Sequence, residues 1–118
     1  MSLRRLTKRA QFVKAARGTR VARRGFVLQA ATVEQAIPGV GYTVTKKTGN
    51  APERNRIKRR LRAAVAKVSG KLVAGHDYVL IGRREALNEP FNVLVAELSG
   101  SIERIHERQR PKGERVLK

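Results

Sequence analysis

The stretch ERNRIKRRLR, residues 53 to 62, holds six cations between Arg54 and Arg62 and one acid, Glu53. Guanidinium and ammonium groups at this density suit one kind of chemistry, the binding of phosphate oxygens, Arg through paired N–H donors and Lys as a point charge. Residues for bond-breaking chemistry are scarcer. There is no cysteine, which excludes disulfides and thiolate metal sites, and the only histidines are His76 and His106. His106 lies among Glu103, Glu107 and Arg108 and reads as a surface residue; His76 precedes an apolar run and reads as part of a turn. Asp77 is the only aspartate and the glutamates are scattered, mostly along helix surfaces, so the converging carboxylates of a two-metal nuclease are missing. Neither a catalytic residue nor a metal site built from protein side chains is expected.

The element that must position the basic stretch is a helix. Asn50-Ala-Pro-Glu53 supplies an N-cap, a proline in the first turn and an acid placed to reach back to the cap. Ile57, Leu61, Ala64, Val65 and Val68 follow as one apolar stripe, which Gly70 should end. On a wheel of about 100° per residue, Asn55, Lys58, Arg59 and Arg62 form an i, i+3, i+4, i+7 row opposite that stripe. Arg56, Arg60 and Lys67 make a second cationic edge, and Arg54 lies beside the stripe, where a long side chain leans along neighbouring backbone. The preceding TKKTGN loop brings Lys46 and Lys47 close to the same end. Cations in the first turns oppose the helix dipole and repel one another, each by roughly a few tenths of a kcal/mol when exposed. A helix start with free N–H groups already suits phosphate, and a merely solvated face would mix Glu with Lys, whereas here only Glu53 is acidic.

Composition agrees with a polyanion binder. The 118 residues carry 27 Lys and Arg against 9 Asp and Glu, a net +18, with an ordinary apolar content of 41%. Residues 1 to 62 hold 17 of the cations and only Glu34 and Glu53 as acids, a balance of +15, so the binding surface belongs mainly to the first half. The length fits one domain. Apolar runs are too short for a membrane span, the basic N-terminus lacks the apolar stretch of a signal peptide, and a cytoplasmic protein without membrane attachment is expected.

The remaining elements follow from periodicity. Thr7 is placed to cap a helix over Lys8 to Arg17, with Phe12, Val13 and Ala16 on one side and Gly18 as the stop. GFVLQAATV, residues 25 to 33, and the alternating VGYTVT, residues 40 to 45, read as strands, DYVLI at 77 to 81 as a strand buried on both faces, and Pro90 opens a last helix through Ile105. Residues 1 to 110 make a single domain and 111 to 118 a loose tail. The fold class is α+β, with helices covering one face of a small sheet.

These residues carry a resemblance. YTVTKKTGNAPERNRIKRRLRAAV, residues 42 to 65, resembles the signature of the bacterial ribonuclease P protein component: a Lys-Lys pair, a Gly-Asn-Ala turn and an Arg-Asn-Arg triplet, matched by Lys46, Lys47, Gly49, Asn50, Ala51, Arg54, Asn55 and Arg56. RLTKRAQF at 5 to 12 is similar to that family's first helix, GFVLQA to its strand before the turn, and HDYVLIGRREAL to its fourth strand and following loop. The resemblance implies a short additional strand within Thr19 to Arg24. The result is a mainly antiparallel four-stranded sheet with three helices in the order α-β-β-β-α-β-α, and a left-handed crossover between parallel strands.

It also implies a function: the protein subunit of a ribonucleoprotein endoribonuclease, assisting a catalytic RNA in removing the 5′ leader from precursor tRNA. By this resemblance Lys46, Lys47, Arg54, Asn55, Arg56, Lys58, Arg59, Arg60 and Arg62 contact RNA, and Arg9, Phe12 and Gln29 line a leader-binding cleft between sheet and first helix. Aromatic residues often line that cleft in the family; here Phe12 matches one, Ala15 and Ala16 replace a second, and Gln29 stands where the strand often has another, so stacking on leader bases should be weaker. With no protein ligands for them, Mg²⁺ ions would be held mainly by the RNA subunit, and a monomer in the holoenzyme is expected. A structural RNA-binding protein of ribosomal type matches the charge and size but leaves the composite motif unexplained. A DNA-binding helix-turn-helix lacks its first helix, since a strand precedes the basic helix.

Overall fold

A computed structural model describes residues 3 to 108. The elements in chain order are β1 (Arg4–Arg5), α1 (Arg9–Ala16), β2 (Thr19–Ala22), β3 (Phe26–Thr32), β4 (Gly39–Thr43), α2 (Ala51–Lys67), β5 (His76–Gly82) and α3 (Phe91–Arg108). Single 3-10 turns lie at Lys46–Thr48, Ser69–Lys71 and Arg84–Leu87.

The sheet corrects the expected fold class. It has five strands in the order β1-β4-β5-β3-β2 and is mixed: β1 and β5 both run parallel to β4, while β3 runs antiparallel to β2 and β5. The α+β class stands, but the expected four-stranded, mainly antiparallel sheet does not. Two arginines carry no period-two signal, and β1 exists because its backbone finds distant partners: Arg4 N–H donates to the Pro38 carbonyl at 2.8 Å and Leu6 N–H to the Val40 carbonyl at 3.0 Å.

Helices cover both faces of the sheet, where one covered face was expected. Phe26, Leu28 and Ala30 of β3, Val40 of β4 and Tyr78 and Leu80 of β5 pack with Ile57, Leu61, Ala64 and Val65 of α2 and Leu94, Leu98, Ile102 and Ile105 of α3. On the opposite face Val79 packs with Leu6 and Ala15, joined by the half-buried Phe12 and Ile81. That second, smaller core is the seat of α1, a helix too short for its periodicity to reveal which side it takes.

Local capping explains the helix ends. At α1 the N-cap is Lys8, not Thr7: Gln11 Oε1 reaches back to accept from both Thr7 and Lys8 N–H groups, at 3.0 and 2.9 Å. Beyond its end the chain must pass β3 so closely that a Cβ on Gly18 would lie 1.9 Å from the Ala30 carbonyl oxygen. At α2 the expected box is present: Asn50 Oδ1 accepts from Glu53 N–H and Glu53 Oε1 from Asn50 N–H, each at 2.9 Å. Its regular turns stop at Lys67 and a 3-10 turn carries the chain past Gly70. Among the described residues no helix is long and apolar enough to cross a membrane. The expected tail, residues 111 to 118, and the domain boundary at 110 lie outside the described residues.

Candidate nucleic-acid interface

The start of α2 is held from two sides. Arg84, in the turn after β5, donates from Nη2 to Glu53 Oε2 at 2.8 Å and from Nη1 to the Thr48 carbonyl at 3.1 Å. The Arg84 hydrogen bond, with the Asn50 cap bond second, holds the Glu53 carboxyl below its ordinary range. The one acid of the basic helix is thereby occupied. Arg54 turns back, as its wheel position implied, and donates from Nη1 to the Gly49 carbonyl at 2.7 Å.

The cations of α2 divide by where their donors go. Arg60 donates to the Glu89 carbonyl, and its Nε is buried without a partner, so this side chain ties α2 to the start of α3. Asn55, Arg56, Arg59 and Arg62 are exposed and Lys58 is half-buried; Lys46 and Lys47, in the preceding 3-10 turn, are exposed. The ion pairs Arg4–Asp77, Arg24–Glu89, Lys71–Glu103 and Arg84–Glu53 use no cation of α2. The outward row therefore keeps its charge for something outside the chain.

That row runs into a cleft of about 380 Å³. Leu3, Arg4, Arg5 and Leu6 make one wall, Phe12, Val40, Gly41 and Tyr42 line its interior, and Lys58 and Arg62 close the α2 side. The Arg62 guanidinium carbon lies 5.4 Å from the centre of the Tyr42 ring, within cation–π range. Burial pushes the Tyr42 hydroxyl up to about 12, with the Arg62 charge opposing it, so the ring is neutral at physiological pH. The arrangement offers a stacking surface beside two cations, which suits an unpaired nucleotide: a flat base and a charged backbone.

Of the three cleft residues expected from sequence, only Phe12 lines this cleft. Arg9 lies on the outer face of α1 with Val13, Lys14 and Arg17. Gln29 is 7% exposed on β3, paired in register with Arg20 and Val79, on the sheet face that carries α1. Tyr42 and the β1 wall were missed. Tyr42 had a signal, an aromatic at a half-buried position of an alternating strand; the wall had none, since its place follows from pairing with residues more than thirty positions away. His106 is likewise no free surface residue: its Nε2 lies 2.6 Å from the Tyr78 hydroxyl, and its ring meets His76 edge-on at 4.7 Å. Among the described residues no group of three or more His, Asp or Glu could hold a metal ion.

Comparison with known proteins bears on what such a site serves. The family model described as Ribonuclease P matches residues 2 to 106. The chain is 44% identical over 108 residues to the ribonuclease P protein component of Bartonella quintana (strain Toulouse), covering 83% of this chain and 80% of the relative. It is also 44% identical over 108 residues to that of Paramagnetospirillum magneticum, covering 86% and 81%. Among solved structures, the Staphylococcus aureus RNase P protein superposes with a TM-score of 0.70 at 28% identity, covering 92% of this chain and 97% of that one. The RNase P protein from Thermotoga maritima gives 0.74 at 26%, covering 86% and 96%. The match takes in the β1 wall, Phe12, the basic helix and the Arg84 turn together, and the chain belongs to the ribonuclease P protein family.

Proposed function

We propose that this protein serves ribonuclease P through two adjoining surfaces, one for the catalytic RNA subunit and one for the 5′ leader of precursor tRNA. Lys46, Lys47 and the exposed Asn55, Arg56 and Arg59 take phosphates of the RNA subunit, with Arg54 and Arg60 contributing field and holding the helix in place. The cleft takes the single-stranded leader, Lys58 and Arg62 meeting its backbone and Phe12 and Tyr42 its bases. The observation that carries this reading is the outward row on α2, without an acid partner among the described residues and continuous with an aromatic-bearing cleft.

The protein's contribution is affinity and positioning. Each phosphate neutralised releases counterions, which steepens the salt dependence by about 0.7 to 0.9 log units per contact. Binding the leader beside the RNA subunit holds the substrate in one place relative to the catalytic RNA. Mg²⁺, when bound, supplies the charge stabilisation and activated water of phosphodiester hydrolysis. The described residues do not fit it: Asp77 is committed to Arg4 and Glu53 to Arg84 and the Asn50 cap. The ions are therefore assigned mainly to RNA phosphates, and no catalytic step to this chain. It acts as a monomer in the holoenzyme, in the cytoplasm.

The test is reconstitution with a bacterial catalytic RNA at low Mg²⁺, comparing precursor tRNA with mature tRNA. The protein should stimulate cleavage and tighten binding of the leader-bearing substrate selectively, and Lys58→Ala with Arg62→Ala should remove that selectivity. Absence of stimulation, where another family member stimulates, would refute the reading.

A further inference from the structure

We infer that Asp77, through Arg4, is the positioning residue that sets the wall of the leader cleft; this rests on the cleft reading above. The wall is the segment Leu3 to Leu6, and its strand is only two residues long, so its few backbone bonds alone make a weak attachment. A side chain supplies the rest. Arg4 donates from Nε to the Ile37 carbonyl at 2.6 Å and from Nη2 to Asp77 Oδ1 at 2.5 Å.

Asp77 itself is 4% exposed, at the start of β5 in register with Gly39 of β4. A carboxylate so buried cannot be left unpaired without a large penalty, so the cheapest state is the one with Arg4 docked and β1 closed onto β4. The pair also lines a second cavity, of about 400 Å³, between α1 and the β3–β4 connection. Arg4 thus stands between two hollows, and its docking decides where one ends and the leader cleft begins.

The mechanical consequence reaches Phe12. Leu6 ends the wall, is buried against Ala15 and Val79, and shares that small core with Phe12. Releasing Arg4 frees the wall at one end and loosens the seat of the aromatic at the other. The side-chain bonds of Arg4 and Asp77 go to the Ile37 carbonyl and to each other, and none goes to Lys46, Lys47, Asn55, Arg56 or Arg59, so RNA-subunit binding should not depend on them. Asp77 is thereby separated from the residues that touch RNA: it acts only through Arg4.

The experiment uses full-length protein reconstituted with a bacterial catalytic RNA. Asp77→Asn keeps the shape and removes the charge. The expected result is a loss of roughly fivefold or more in the preference for precursor over mature tRNA, the size of one lost stacking contact, with RNA-subunit affinity unchanged. Exchange of the Leu6 amide should accelerate in the same variant. Arg4→Lys, which keeps the charge but loses the Ile37 bond, should show a smaller loss in the same sense and serves if Asp77→Asn does not fold. An unchanged preference in these variants, while Lys58→Ala lowers it, overturns this inference and leaves the cleft reading standing. A fall in RNA-subunit affinity equal to the fall in preference also overturns it, because the pair would then support the whole fold. If wild-type protein confers no preference at all, the cleft reading fails and this inference with it.

Discussion

Replacing Gly41 with alanine tests whether Phe12 is wedged between strand and cleft. A Cβ at Gly41 would stand 2.7 and 2.8 Å from two ring carbons of Phe12 and 3.0 Å from Leu6 Cβ, where ordinary contact begins at 3.4 Å. The ring must retreat by about 0.7 Å. Leu6 and Ala15 are buried in the small core beside it, so the room lies toward the cleft. Overpacking of this kind costs about 1–3 kcal/mol. At about 4–8 °C per kcal/mol for a domain near 100 residues, the melting temperature should fall by roughly 5–20 °C. The preference for precursor over mature tRNA should fall as well, since the displaced ring narrows the cleft proposed for the leader. Urea denaturation of Gly41→Ala, Phe12→Leu and the double variant isolates the cause: the smaller side chain should relieve part of the clash, giving a coupling of about 1 kcal/mol. Additivity within about 0.5 kcal/mol would refute the wedge. Gly100→Ala is the control; inside α3, with nothing within 4 Å of the new Cβ, it should stabilise by about 0.5–1 kcal/mol.

Arg59→Ala should lower affinity for the RNA subunit and flatten its salt dependence by about 0.7 to 0.9 log units without changing the melting temperature, and an unchanged slope over a salt series would place this side chain in bulk solvent. Tyr42 and Tyr78 are both raised from 10 to about 12 by burial, so their neutral forms favour the folded state. That contribution is intact below pH 10 and disappears as pH rises toward about 12; with no tryptophan to interfere, phenolate absorbance should appear together with loss of the folded circular-dichroism signal, and full ionisation near pH 10 in folded protein would contradict the burial. Glu53 has a lowered value, so its cap and ion pair stabilise fully above the ordinary 4.5 and are lost as pH falls through the folded value. Glu53→Gln should therefore lose stability at neutral pH and show a flatter acid limb than wild type; parallel limbs would refute the assignment.

What the sequence revealed and what it hid divide along the range of the interactions. The α2 helix was legible because Asn50, Pro52, Glu53 and the stripe from Ile57 to Val65 are mutually local, and even the turning back of Arg54 follows from its place on the wheel. Strands β3 and β5 were legible as apolar runs. The pairing of β1 was not, because its bonds go to Pro38 and Val40 and its side-chain tether to Asp77, 73 positions away. Gln29, expected by family position in a cleft between sheet and first helix, is buried on β3 on the face that carries α1, and the hollow beneath Arg62 at β4 does not include it. The fate of Arg60 was equally hidden: its angle on the wheel matches that of a surface cation, and only the start of α3, passing beside it, turns it into a tie between helices.

The repulsion loaded onto α2 becomes intelligible when its opposing terms are compared. Four side chains of its stripe, Ile57, Leu61, Ala64 and Val65, are at most 3% exposed, and burial of the three larger ones stabilises by about 1.5–3 kcal/mol each. Against that, each like-charge pair or dipole-opposed cation costs only tenths of a kcal/mol. Arg54 offsets part of that cost by bonding the Gly49 carbonyl, whereas Arg60 bonds the Glu89 carbonyl but leaves its Nε buried without a partner. The helix can therefore present unpaired charge without losing its place. The same rigid body that faces Arg59 outward also sets Arg62 over Tyr42, so the two surfaces proposed for the RNA subunit and the leader are fixed relative to each other by one element, and a shift of α2 would disturb both together.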